Sequence, residues 1–471
     1  MFNTRRLFVC SCIALVTSAF TFSIHGDVMQ EIGYWFNFTQ EQNGSIAKAI
    51  FWGMAASMLV GGFVCDFLGI KRVMFLALAS HLVGVLGIVF ASQITGWAID
   101  SDHTEKYYWW MWVFGFIMGC GNGWTEVGIN PLVATLFPRQ KTQFLNILHA
   151  WWPGGLVIGG LLAQFLMRRL LFHQDPAKLL VGRDYLLFDA LPLWRASLLM
   201  IVVPAIVYGL MLIGSVFPAT ERVESGVSNQ EMFKEALRPM FLLWAFCMLL
   251  TAATELGPQK WQESVITNTA KVSGTLILVY TSGMMFVLRH FAGPIAHKLS
   301  PVGMLTCSAL LSCVGLYLLS YADNAVTAFG YATIYGLGIA YFWPTMLGVA
   351  AERFPKGGAL ILALMGTAGN ISIGLVLDQM GGIVDRYSVR EVKQYDTEHH
   401  TKVGDEVFKM DNGKPIALDE QKVKKLPKDS KATEVVDDAK KVGFSMAFRW
   451  VSLLPLILVF LFGAIAISDR M

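Results

Sequence analysis

Charge is scarce in this chain. Only 15% of its 471 residues are charged, against 55% hydrophobic. A soluble globular protein carries about 25% charge, so most of this one must lie in lipid. The net charge of +3 is slight, and no basic patch is interleaved with aromatics, which argues against a nucleic-acid partner. There is no nucleotide loop, no metal-ligand cluster and no credible nucleophile–base pair. The expectation is therefore no enzyme, no cofactor and no metal. The cysteines at 10, 12, 65, 120, 247, 307 and 313 fall in or beside apolar segments. No pair sits in a loop as a ready disulfide, and Cys10 with Cys12 lacks the spacing of a metal site. They read as small packing residues. The N-terminus, with Arg5 and Arg6 before an apolar run, imitates a signal peptide. The run continues past Ile24 without a small-residue cleavage pattern, which makes it the first membrane helix.

What the chain has is long apolar runs. They recur at about 7–31, 45–68, 73–94, 109–137, 143–168, 193–217, 239–260, 273–296, 302–321, 325–351, 358–380 and 444–468, each long enough to cross a bilayer. The expected fold is an all-α membrane protein of twelve transmembrane helices in two pseudo-symmetric six-helix bundles. Residues 1–218 form the first bundle, 219–238 a cytoplasmic linker and 239–471 the second. A hydrophilic insert at 381–443 mixes both charge signs with little apolar periodicity, so partial disorder is expected there. The halves look like copies: Gly119, Gly121 and Phe137–Pro138 recur as Gly336, Gly338 and Phe354–Pro355 at a constant offset of 217. Repeated six-helix halves point to a transporter with its site between them near the midplane.

Basic residues in short loops set the orientation. Arg5, Arg6, Lys71, Arg72, Arg139, Lys141, Arg353, Lys356 and Arg470 fall on one side, taken as cytoplasmic. Both termini are then cytoplasmic, in an inner membrane, with the insert outside. Arg168, Arg169, Lys178 and Arg183 run against this count.

The central stretch is GCGNGWTEVGINPLVATLFP, residues 119–138. Asn122, Glu126 and Asn130 are spaced four apart and share one helix face. An intramembrane carboxylate is costly unless it faces a partner or water; the plain alternative is a buried structural glutamate. Pro131 removes one backbone hydrogen bond, and Gly119, Gly121 and Gly123 permit close approach of a neighbouring helix. Other helices carry polar faces too. The first offers Ser23, Asp27 and Gln30; the fifth Asn146 and His149, then Trp151 and Trp152. The seventh offers Thr251 and Glu255, with Gln259, Trp261 and Gln262 beyond. The tenth brings Tyr335, Tyr341 and Trp343, the eleventh Thr367 and Asn370. Carboxylates and amides exchange hydrogen bonds with hydroxyls, and a flat indole covers the apolar face of a sugar ring. The candidate substrate-binding set is Asp27, Asn122, Glu126, Asn130, Asn146, His149, Trp152, Glu255, Gln259, Tyr341 and Asn370. Trp109, Trp110 and Trp112 read instead as an interfacial aromatic belt.

GGFVCDFLGIKR, 61–72, resembles the signature between helices two and three of the major facilitator superfamily; Gly62, Asp66, Gly69, Lys71 and Arg72 match it. Within that superfamily the chain resembles the fucose permease branch of sugar–proton symporters. TEVGINP matches that branch at Glu126, Asn130 and Pro131, IHGDVM at Asp27, and TELG at Glu255 and Gly257. It departs at His149, Trp151 and Trp152, where the branch commonly has amides. The resemblance implies alternating-access uptake of a sugar driven by protons, with sodium used by some relatives, in a monomer within the bilayer. Glu126 is the first choice of proton carrier, because burial favours a carboxyl group's uncharged form. Asp27 is the second proton site or a solute contact. Gly62, Asp66, Gly69, Lys71 and Arg72 then form a conformational latch, or else a plain topology anchor. The rival functions are a proton-driven exporter of drugs or metabolites and a membrane receptor that binds without transporting.

Overall fold

The computed structural model describes residues 2–38, 40–99, 101–163, 186–187, 191–270, 272–411, 413–423, 426–427 and 430–469. Arg168, Arg169, Lys178, Arg183 and Arg470, counted in the orientation argument, lie outside the described residues, as does the side chain of Gln30.

Among the described residues every expected apolar run is helical. The first six are α1 (Thr4–Trp35), α2 (Gln40–Leu68), α3 (Ile70–Val89), α4 (Thr104–Leu136), α5 (Lys141–Leu161) and α6 (Leu193–Leu199 with Val202–Leu212). They are followed by α7 (Pro239–Ala270), α8 (Gly274–His290 with Ala292–Leu299), α9 (Pro301–Leu319), α10 (Ala325–Ile339 with Phe342–Arg353), α11 (Gly358–His399) and α12 (Lys431–Val451 with Leu453–Ser468). Among the described residues nine of these are long and apolar enough to cross a membrane, and α8, bent by 66°, makes a tenth. The remaining two, α4 and α5, are 33 and 21 residues long. Their glycines, amides and Glu126 lower the mean hydropathy, and Asn122, Glu126, Asn130 and Asn146 are buried.

The glycines of α4 explain its place. A Cβ on Gly119 would run into the Ile50 carbonyl of α2, and one on Gly123 into Ser57. On the opposite flank Gly121 lies against the His81 ring of α3, and Gly84 of α3 lies against Met118. So α4 is clasped between α2 and α3 at backbone distance, a small-residue interface suited to lipid.

Among its described residues the insert carries regular structure, in place of the expected partial disorder. Helix α11 runs on to His399, 42 residues in all, about 63 Å at 1.5 Å per residue. That is about twice the 30 Å of a bilayer's hydrocarbon core. Helix α12 begins at Lys431. Between them an antiparallel hairpin pairs β1 (Phe408–Asp411) with β2 (Lys414–Leu418), turning through Gly413 at φ 75°. Val389, Val392, Val403, Val407, Phe408, Val435, Val436 and Ala439 form a buried apolar cluster. Asp396 fixes the turn by accepting from the backbone N–H of Val403 (2.9 Å) and Gly404 (2.8 Å). The apolar positions do recur at helical spacing, but a charged outer face on each turn disguises them.

Contacts divide the chain into two compact units. One contains residues 1–246, 286–298 and 344–370; the other contains 247–285, 299–343 and 371–471.

Candidate functional site

In the first unit, α4 and α5 build a buried polar chain. Glu126 and Asn130 stand one turn apart on α4. Asn130 Nδ2 donates to Glu126 Oε2 at 2.7 Å, and Asn130 Oδ1 lies 2.9 Å from His149 Nε2 on α5. His149 Nε2 is also 3.8 Å from Glu126 Oε2. The three residues are at most 3% exposed. Because the amide nitrogen serves Glu126, the amide oxygen faces the ring, which puts a hydrogen on His149 Nε2. On the backbone side, Arg289 Nη1 of α8 donates to the His149 carbonyl at 2.7 Å. A carboxyl group, an amide and an imidazole in series can hold a proton or exchange hydrogen bonds with a polar solute.

Asn122, one turn before Glu126, is not part of that chain. Its Nδ2 donates to Thr21 Oγ1 at 2.8 Å, and its Oδ1 lies 2.9 Å from His81 Nε2. His81 Nδ1 continues to the Tyr208 hydroxyl at 3.2 Å. Thus α1, α3, α4 and α6 are tied together through Asn122. Asn146 donates to the Thr142 carbonyl (2.9 Å) and to Thr345 Oγ1 (3.1 Å). Its Oδ1 is buried with no hydrogen-bond partner among the described residues. Trp152 packs on Phe22, ring centroids 5.1 Å apart. Asp27 is half-buried on α1. Asn370 Nδ2 donates to the Gly366 carbonyl at 2.9 Å and touches Met58 Sδ at 3.4 Å.

The second unit holds the other candidates. Glu255 is buried on α7 and Tyr341 in the break of α10. Gln259 Nε2 reaches Met285 Sδ at 3.2 Å. Gln262 is buried with neither polar atom paired among the described residues. Orphaned buried amides are costly, so Gln262 joins Gln259 as a candidate solute contact.

At the far end of α2, the Asp66 carboxylate is paired from the 219–238 segment. Arg222 Nε and Thr220 Oγ1 both donate to it at 2.6 Å. Arg222 Nη1 also bonds the Val227 carbonyl at 2.8 Å. Gly62 lies against Leu360 and Ala363 of α11, where a Cβ would not fit. Gly69 takes φ 84°, a left-handed conformation that glycine allows. Lys71 bonds the Ser215 carbonyl at 2.8 Å, and Arg72 is exposed. Lys141 pairs with Glu221 at 2.6 Å, and Thr142 Oγ1 donates to Glu352 at 2.9 Å.

Arg222 and Arg289 were among the residues that escaped the sequence reading. Arg222 sits in a polar linker, 156 positions from its partner. Arg289 had a signal: an ionisable residue inside the apolar run 273–296, the criterion that singled out Glu126.

A family model described as Major Facilitator Superfamily matches residues 7–377. The cis,cis-muconate transport protein of Acinetobacter baylyi is 23% identical over 397 residues, which are 77% of this chain and 88% of that relative. Among solved structures, the Escherichia coli fucose:proton symporter FucP superposes with a TM-score of 0.64 at 14% identity, over 96% of this chain and 98% of that one. The proton:xylose symporter XylE superposes with a TM-score of 0.67 at 11% identity, over 97% and 94%.

Proposed function

Because the chain belongs to the Major Facilitator Superfamily, whose members similar to it are transporters rather than enzymes, we propose that it is a proton-coupled secondary transporter of a small hydroxylated solute, a sugar in the first instance. The observation that carries this reading is the buried chain Glu126–Asn130–His149. Glu126 takes a proton from outside, solute binds, the protein changes the side to which the site opens, and both leave inside. The moving parts are the six-helix bundles 1–218 and 239–471, joined by the 219–238 linker. Asp66 with Arg222 latches the cytoplasmic end. The protein acts as a monomer in the inner membrane, with both termini in the cytoplasm and the 381–443 module outside. Asp27, Asn146, Trp152, Glu255, Gln259, Tyr341 and Asn370 complete the solute-contact set; Asn122 belongs to the scaffold.

A second reading has a specific observation behind it. Arg289 brings a buried guanidinium beside His149, and guanidinium groups suit carboxylates. The muconate transport protein is a relative at 23% identity. A short dicarboxylate is therefore the alternative solute.

Uptake into vesicles holding the purified protein tests both. Labelled sugars and labelled dicarboxylates are offered under an inward proton gradient, an inward sodium gradient, or neither. Accumulation of a sugar with protons supports the first reading; accumulation of a dicarboxylate replaces it with the second. Accumulation with sodium alone removes the proton role. Extrusion makes the protein an exporter, and binding without movement makes it a receptor.

A further inference from the structure

A proline inside a helix removes the N–H that would bond the carbonyl four residues back. A buried carbonyl so freed needs another donor. Pro153 lies inside α5 and Pro258 inside α7; they free the carbonyls of His149 and Thr254. Within each compact unit, a buried side chain of a different helix fills the vacancy. Arg289 Nη1 donates to the His149 carbonyl at 2.7 Å. The Tyr335 hydroxyl, 3.0 Å from the Thr254 carbonyl and 3.0 Å from that of Glu255, serves the other.

The Tyr335 case shows that an uncharged hydroxyl meets the need. A guanidinium is far costlier to place inside a membrane protein, yet its charge-assisted hydrogen bond is roughly twice as strong as a neutral one. The Nη1 bond falls on His149, whose imidazole bonds Asn130 and so stands one link from Glu126. The helices also touch beside the bond: Gly154, next to Pro153, lies against the Phe286 ring, one turn from Arg289.

We propose that Pro153 and Arg289 act as one positioning unit for His149: the proline frees the carbonyl, and the guanidinium grips it, holding the backbone so that the imidazole stays on Asn130 and Glu126. Arg289 is a positioning residue that works through His149. The transport readout of this idea rests on the proton-coupled reading above; the stability readout does not.

The test is a double-substitution cycle on the full-length protein. Pro153→Ala restores the N–H that the His149 carbonyl lacks, so the guanidinium becomes redundant there. Tm is measured for wild type, Arg289→Met, Pro153→Ala and the double variant. Arg289→Met is expected to lower Tm by several degrees in the wild-type background and by much less beside Pro153→Ala. Solute exchange is then followed against pH. Arg289→Met should slow exchange about 10- to 100-fold, the loss expected for a charge-assisted hydrogen bond, and should displace the pH midpoint. Arg289→Lys should retain most of the rate, and the double variant should return the midpoint toward wild type. Equal Tm losses in the two backgrounds overturn the proposal, as does a pH midpoint that Arg289→Met leaves in place. Should Arg289→Met fail to fold, Arg289→Gln enters the same cycle. Should wild type move no solute, the functional reading falls and the Tm cycle alone decides the positioning.

Discussion

Glu126→Gln separates a working carboxyl group from a structural one. In the structure, Glu126 Oε2 accepts from Asn130 Nδ2 at 2.7 Å. A glutamine oxygen can take that place, so the bond persists in neutral form at a cost of about 1 kcal/mol. An alanine would leave Asn130 Nδ2 as a buried orphan, at a cost of about 1–3 kcal/mol, besides the cavity. Gln therefore folds, and the Asn130–His149 link survives. What Gln cannot do is release a proton. In vesicles held at a pH difference of one unit with no membrane potential, symport of one proton with a neutral solute supports accumulation of about tenfold, the equivalent of 1.4 kcal/mol. Wild type should approach that ratio. Glu126→Gln should stop at equal concentrations on both sides, yet still exchange labelled for unlabelled solute within a few-fold of wild type. The assay measures the two quantities on one preparation. If Glu126→Gln still accumulates solute against the gradient, Glu126 is not an essential proton carrier. The role then passes to Asp27, to Glu255 or to another ion.

The latch makes its own prediction. Asp66→Asn keeps one acceptor oxygen for Arg222, and its amide nitrogen can donate to the Thr220 hydroxyl, so the protein should purify normally but turn over more slowly; transport at the wild-type rate would leave Asp66 as a topology anchor. Topology is checked by placing cysteines at Gln140 and Lys414, both exposed, and adding an impermeant thiol reagent to intact cells. Lys414→Cys should react and Gln140→Cys should not; equal labelling refutes the orientation. The short helix Asn229–Ala236 starts with a capping box in which Ser228 bonds Glu231 through both its N–H and its hydroxyl. Those bonds hold the Glu231 carboxyl below its ordinary range. A depressed carboxyl contributes stability above its unfolded value and loses it as pH falls through the folded one. The protection of this helix's amides, measured against their intrinsic exchange rates, should therefore fall only in acid, and Glu231→Gln should remove that pH dependence.

The membrane segments were legible because lipid imposes one rule, unbroken apolar length with its backbone satisfied internally. The apolar run of α11 ended the prediction near residue 380, whereas the helix continues to His399. Beyond the lipid only one face need be apolar. Val389, Val392, Val435 and Ala439 mark that face, while neighbouring charges swamp the average. The chain Glu126–Asn130–His149 was legible in part. Four-residue spacing put the two α4 members together, but nothing in α5 says which way His149 points. Asn122 shows the limit of spacing. At 3.6 residues per turn, each four-residue step rotates the side chain about 40°, and over two steps Asn122 departs from the face of Asn130 toward His81 and Thr21.

That rotation divides one polar stripe into two kinds of group. Asn122 bonds Thr21 on α1 and His81 on α3, and His81 passes on to Tyr208 on α6. These bonds join elements of a single unit and use the amide's nitrogen and oxygen together. Opening such a network to admit a solute would strand several buried polar groups at once, each costing about 1–3 kcal/mol. The proposed reading therefore puts Asn122 in the scaffold. The chain one turn below it differs in capacity. A carboxylate offers about four acceptor positions, and the bond to Asn130 occupies one of them on Oε2. Asn146, on the same helix as His149, keeps an unpaired buried Oδ1 among the described residues. Spare acceptors next to a group able to change its protonation are what coupling requires, since solute and proton must alter the same hydrogen bonds. On the proposed reading, the saturated network holds α4 in place, and the chain below it is where binding would be linked to a proton.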